Sequence, residues 1–145
     1  MIDRFIGNYS FLSNFFLCRI MFEGEKYPSV ENAFQAAKTL NRHSRKQFQS
    51  LGCTPAMAKK LGRKLALRPD WKTIRDYIMY EIILDKFLRN NDLCISLMNT
   101  GKKQLIEGNT WGDKYWGVVD GIGENKLGKI LMHLRATMQE ISDVA

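Results

Sequence analysis

Histidine and cysteine are scarce in this chain, and each shortage closes off a class of chemistry. Only His43 and His133 occur, isolated from each other, and neither reads as a metal ligand or a catalytic base. Cys18, Cys53 and Cys94 are odd in number and share no CxxC or Cys/His spacing. A disulfide framework and a zinc site are therefore not expected, and a reducing, cytoplasmic setting is. No apolar run approaches the ~20 residues that cross a bilayer, and MIDRFIGNYS lacks the apolar stretch of a signal peptide. Membrane insertion is not expected. Internal repeats, low-complexity tracts and an evident linker are missing too, as is any Ser/His/Asp or Cys/His arrangement for nucleophilic catalysis.

What is present is a folded domain's composition with an uneven charge. At 145 residues, 45% of them hydrophobic, the chain fits one domain, 1–145, with a buried core. Its net charge of +7 is concentrated: eleven bases lie between Lys38 and Arg75, against the single acid Asp70. A cluster of this density points to an anionic partner, a polymer or a phosphate-bearing ligand, where a lone lysine would be only a solvated residue.

The pattern along the chain predicts an α+β fold, mainly helical, with about five helices and two or three short strands. Residues 15 to 23 read as a strand, with a turn at Gly24. Ser29 is placed to cap a helix carrying ENAFQAAKTL, with Glu31 in its first turn. Thr54 and Pro55 open a second helix. A third is expected at about 71–89, with Ile74, Ile78 and Ile82 inward, and a fourth at about 93–99. Gln104 to Glu107 suggests a short strand, and a last helix at about 126–140 buries Leu127, Ile130, Leu131 and Leu134.

Two acids stand out. Glu31, Phe34, Gln35 and Lys38 fall at i, i+3, i+4 and i+7, so a helix would put all four on one face. A carboxylate, an amide, an ammonium and an aromatic on one stripe suggest a lined pocket, with the helix N-terminus favouring the Glu31 charge. The second acid, Asp113, lies in GNTWGDKYWG among Trp111, Tyr115, Trp116 and glycines, within a segment (108–128) holding six of the eleven glycines. A turn residue is one reading of Asp113; a loop packed over a flat ligand is the other. GIGENKLG has the spacing GxGxxxxG and follows no good strand, so a dinucleotide fingerprint fails; a glycine loop feeding a helix start survives. Two carboxylates with flat aromatic surfaces suit cleavage of a glycosidic bond with a stacked base as leaving group.

SFLSNFF, YPSVENAFQAAK, AKKLGR, RPDW, LIEGNTWGDKYWG and GENKLGKILMHLR occur in this order over about residues 5 to 135. Together they resemble the NADAR superfamily of YbiA-like N-glycosidases. That resemblance implies a mainly helical α+β fold, no required metal or cofactor, and hydrolysis of a bond between ribose and a base. Some members act on ribosylamine intermediates of riboflavin synthesis; others remove ADP-ribose from guanine. Carried over by motif, Glu31, Lys38 and Asp113 are the catalytic candidates, with their division of labour open. Lys38 has two readings, an electrostatic clamp or an amine that forms a Schiff base. Asn14, Phe15, Gln35, Trp71, Trp116, Gly117 and Asn125 are the substrate-binding candidates. Lys59, Lys60, Arg63 and Lys64 would form a nucleic-acid track. The expected partner is an ADP-ribosylated guanine nucleotide or nucleic acid; the alternatives are a riboflavin-pathway ribosylamino-pyrimidine and a non-catalytic binding module.

Overall fold

The computed structural model describes residues 1–144, which gather into two compact units. One comprises Asn14–Asn91; the other joins Met1–Ser13 to the segment from Asp92 onward. As expected, the described residues form a mainly helical fold, with a single small sheet among them.

The Asn14–Asn91 unit opens on an antiparallel hairpin, β1 (Ile20–Phe22) with β2 (Glu25–Tyr27), in the register Ile20 to Tyr27. Glu23 and Gly24 both take left-handed φ, +48° and +80°, which a two-residue hairpin turn needs. The strand is shorter than the 15–23 run suggested. Cys18 N–H still donates to the Pro28 carbonyl (3.0 Å), but Pro28 has no N–H to return, so the ladder stops. Helix α1 (Val30–Ala36) follows, capped as expected by Ser29, whose side chain accepts from Asn32 N–H. Every residue of α1 is buried. Asn32 belongs in that interior because its amide donates to the Phe48 and Cys53 carbonyls (2.9 and 2.8 Å).

Beyond α1 the chain makes a one-turn helix α2 (Arg42–Arg45) and a 3-10 turn at Lys46–Phe48. Helix α3 (Pro55–Gly62) is capped by Thr54 with proline in its first turn, and α4 spans Trp71–Arg89. Both pack on α1. The buried side of α4 is Trp71, Ile78, Met79, Ile82, Ile83, Lys86 and Phe87; Ile74, expected inward, is only half-buried.

The other unit contains a 3-10 helix at Gly7–Leu12, α5 (Asn91–Asn99, of which Asp92 onward belongs here) and α6 (Lys126–Val144). Leu127, Leu131, Leu134 and Met138 of α6 are buried, as are Leu93, Leu97, Ile2, Phe5 and Leu105. Ile130, expected in that row, is half-buried. Gln104–Glu107 is not a strand. Ile2 alone bridges to Leu105, donating to Gln104 and accepting from Ile106 (both 2.8 Å). No helix among the described residues is long and apolar enough to cross a membrane.

Candidate active site

Glu31 sits in the first turn of α1, 8% exposed, and its backbone N–H donates to the Asn14 carbonyl (3.0 Å). One turn on, Gln35 Nε2 donates to Glu31 Oε1 at 2.9 Å, so the amide's donor end is committed to the carboxylate. The opposite end, Gln35 Oε1, is buried without a hydrogen-bond partner among the described residues. It lies against Gly62 of α3, where a Cβ would collide with it. Sequence reasoning missed Gly62, although a glycine inside the helical run KKLGRK is a visible signal.

Lys38 is close to Glu31 but not on the same helix. The helix ends at Ala36, earlier than ENAFQAAKTL suggested. Lys38 N–H donates to Gln35 and Thr39 N–H to Ala36, which tightens the chain out of the α geometry. Arg68 then takes the last carbonyls: its N–H donates to Lys38 O (2.8 Å) and its Nη1 to Ala37 O (3.4 Å). The same guanidinium grips Asp70 bidentately, at 2.7 and 3.2 Å, directly before α4. RPDW is thus a clamp joining the end of α1 to the start of α4, a role its sequence does not announce. Burial lowers the Lys38 pKa below the ordinary lysine range; the Glu31 charge opposes the shift, and Arg63 and Lys59 reinforce it.

Trp71, the last residue of RPDW, is 6% exposed, with its ring centroid 5.0 Å from Phe34. Asn14 donates to the Met79 sulfur (3.6 Å), and Phe15 is 41% exposed beneath the Lys59 ammonium (6.0 Å to the ring centroid). Lys60, Arg63 and Lys64 are exposed and Lys59 half-buried on or just past α3. The structure therefore gathers Asn14, Phe15, Glu31, Gln35, Lys38, Trp71 and the four basic residues within one unit.

Asp113, Trp116, Gly117 and Asn125 gather in the other unit. Asp113 Oδ1 accepts from the backbone N–H groups of Tyr115 and Trp116 (3.0 and 2.9 Å), while Asn109 closes the loop through Asp113 N–H and O. The carboxylate organises the glycine loop, as the turn reading anticipates. Trp116 stands edge-on to Tyr115 at 4.9 Å, Lys126 lies over the Tyr115 ring at 4.5 Å, and Trp111 is 61% exposed. Gly117 is buried where a side chain would strike Glu107 and Asn109. Asn125, at φ +52°, donates to Leu105 O and accepts from Glu107 N–H, both at 3.0 Å. It is a strut holding the loop to the head of α6. Among the described residues no His, Cys, Asp and Glu cluster could hold a metal.

The model of the NADAR domain matches residues 4–139. The N-glycosidase YbiA of Shigella sonnei is 33% identical over 131 residues, covering 88% of this chain and 81% of that protein. An N-glycosidase of Nostoc punctiforme is 33% identical over 138 residues, 92% of this chain and 88% of that one. A riboflavin biosynthesis protein of Vibrio vulnificus is 36% identical over 135 residues, which is 92% of this chain but 36% of that protein. The NMR structure of Escherichia coli YbiA superposes with a TM-score of 0.82 at 30% identity, over 98% of this chain and 89% of that one. Sequence and fold agree across both units, and the chain belongs to the NADAR family.

Proposed function

We propose that the protein is an N-glycosidase that hydrolyses the bond between a ribose and a base, and that its substrate is ADP-ribosylated guanine in a nucleotide or nucleic acid. One observation carries the reaction: a buried Glu31 carboxylate, held by Gln35, beside a lysine whose charged form burial disfavours. The relatives named N-glycosidases support the same class.

In such a cleavage the base departs with the bonding electron pair and gains a proton, while water supplies the hydroxyl to the anomeric carbon. Positive charge builds on that carbon and the ring oxygen, and Glu31 is suited to stabilise it from a poorly hydrated position. The lowered Lys38 pKa leaves a larger neutral share of amine than a solvated lysine has, which favours a covalent route. The amine adds to C1′ of the ring-opened glycoside, the base leaves with a proton, and water hydrolyses the resulting Schiff base to free the sugar and the lysine. A clamp role would need the protonated form instead, so the two readings differ in pH dependence. Asp113 enters as organiser of the loop that carries Trp116.

The exposed cations of the α3 region support a substrate with several phosphates. The second reading, cleavage of a riboflavin-pathway ribosylamino-pyrimidine, is favoured by the Vibrio vulnificus relative. Incubation with an ADP-ribosylated guanosine oligonucleotide and, separately, with the ribosylamino-pyrimidine tests both. Release of ADP-ribose, leaving unmodified guanine in the oligonucleotide, is expected, with the pyrimidine untouched. Turnover of the pyrimidine alone would install the second reading, and binding without turnover would make the protein a binding module.

A further inference from the structure

Asn109 is buried, and its side chain holds the loop that bears Asp113 and Trp116. Its Oδ1 accepts from Asp113 N–H (3.0 Å), while its Nδ2 donates to the Asp113 carbonyl (2.8 Å) and to Glu107 Oε2 (2.9 Å). A carboxylate only accepts and a backbone N–H only donates, so these partners leave the amide one orientation. The Asn109 backbone is anchored too: its N–H donates to Val118 O at 2.9 Å, and Val118 N–H donates to Glu107 O at 2.8 Å. Glu107 N–H in turn donates to Asn125 Oδ1 at the head of α6 (3.0 Å).

Residues 109–113 are thereby closed into a ring by one side chain, with Gly112 at φ +87° making the turn. Within the ring, Asp113 has both backbone groups held by Asn109. Its Oδ1 is committed to the N–H groups of Tyr115 and Trp116 (3.0 and 2.9 Å). Oδ2 has no hydrogen bond or ion pair among the described residues, and Asp113 is only half-buried. The loop therefore presents a single carboxylate oxygen, aimed by bonds that lead back to Asn109.

We infer that Asn109 is a positioning residue for the cleavage proposed above, and the inference rests on that reading. It acts through Asp113: holding that backbone from both sides aims Oδ2 at a ribose hydroxyl of the substrate and sets the Trp116 that follows. Glu107 stands one step further back and keeps the Asn109 amide turned. A space-filling asparagine would need only its volume, whereas a positioning one must keep donor and acceptor in place.

The test is kcat between about pH 5 and about pH 8, on whichever of the two substrates the wild-type protein cleaves, with thermal unfolding at each pH to show that the samples are folded. Asn109→Ala removes all three side-chain bonds and should lower kcat by about 10²-fold, the scale of a reacting group displaced by ~1 Å. Asn109→Ser, which keeps one donor and one acceptor, should fall between that variant and wild type. Asn109→Asp preserves the shape, but its charged form is a further acceptor facing Glu107 and the Asp113 carbonyl. Protonation gives the introduced carboxyl a donor again, and the neighbouring carboxylate raises the pH at which that happens. Its kcat relative to wild type should therefore climb as pH falls, while the ratio for Asn109→Ala stays flat. Wild-type kcat in these variants, or a flat ratio for Asn109→Asp, would overturn the inference while leaving the glycosidase reading intact. A wild-type protein that cleaves neither substrate would overturn that reading and this inference together.

Discussion

Gly62 of α3 leaves no room for a methyl group beside the Gln35 amide of α1. The amide is wedged between that glycine and Glu31, to which its Nε2 donates at 2.9 Å. Rotating it would turn an oxygen toward the carboxylate, so the wedge and the charge enforce the same orientation. The basic helix and the candidate catalytic acid are thereby packed through one side chain.

Gly62→Ala should consequently cost activity. Alanine within a helix is ordinarily favoured over glycine by ~0.5–1 kcal/mol, but here its Cβ overlaps Gln35 Oε1, and overpacking costs ~1–3 kcal/mol. Turnover should fall roughly tenfold as the bond to Glu31 is lost, on the scale of one hydrogen bond to a charged group. In a Gln35→Ala background the same substitution should no longer lower the melting temperature. Equal cost in both backgrounds would place the clash elsewhere.

Trp71 separates a ligand platform from a core residue. At 6% exposure and 5.0 Å from Phe34 it packs as core, and Trp71→Ala should cost ~3–5 kcal/mol of folding free energy. Thermal unfolding measures this directly. A near-wild-type melting temperature with activity lost would instead make Trp71 a substrate contact.

The helices were legible because their starts are chemically explicit. Ser29, Thr54-Pro55 and Pro69-Asp70 each precede a helix within a residue or two of the observed start. The end of α1 was not, because Arg68, thirty residues on, takes the carbonyls that decide where it stops. The 15–23 run pairs only over Ile20–Phe22; beyond it Cys18 donates to the Pro28 carbonyl, and a proline has no N–H to return. The grouping of Glu31, Gln35 and Lys38 was visible in the spacing, whereas the Gly62 wedge and the buried Lys86 need three dimensions. In GNTWGDKYWG the aromatics suggest a ligand surface, whereas much of the segment's chemistry, Asp113 to Tyr115 and Trp116, serves the loop's own backbone.

Lys86 gives a pH prediction. It is 1% exposed, 5.3 Å from the Phe87 ring centroid and 5.8 Å from that of Phe16, and burial lowers its pKa from 10.5 to about 8. Between those values the unfolded chain keeps a proton that the folded chain has released, so this group's contribution to stability rises with pH across that window. Below it the full cost of burying the charge applies. Urea midpoints of Lys86→Met should exceed wild type at neutral pH and lack the part of the rise that Lys86 supplies. Parallel pH profiles for the two proteins would contradict the assignment.

Charge-neutral replacement of Lys59, Lys60, Arg63 and Lys64 should lower kcat/KM on a modified oligonucleotide and flatten its salt dependence. Each phosphate contact contributes a slope of about 0.9 on duplex, less on single strands. Activity on the free ADP-ribosylated nucleoside should hardly change. Equal losses on both substrates would mean that α3 acts through stability or site shape.

The most direct measurement is single-turnover release of ADP-ribose from the modified oligonucleotide by Glu31→Gln, beside its unfolding curve. Glutamine preserves the shape and can still accept the Gln35 N–H; only the charge is gone. A rate lower by about 10²-fold or more, the scale of a lost transition-state contact, is expected from a protein that unfolds like wild type. A wild-type rate in Glu31→Gln would contradict an N-glycosidase mechanism centred on this carboxylate.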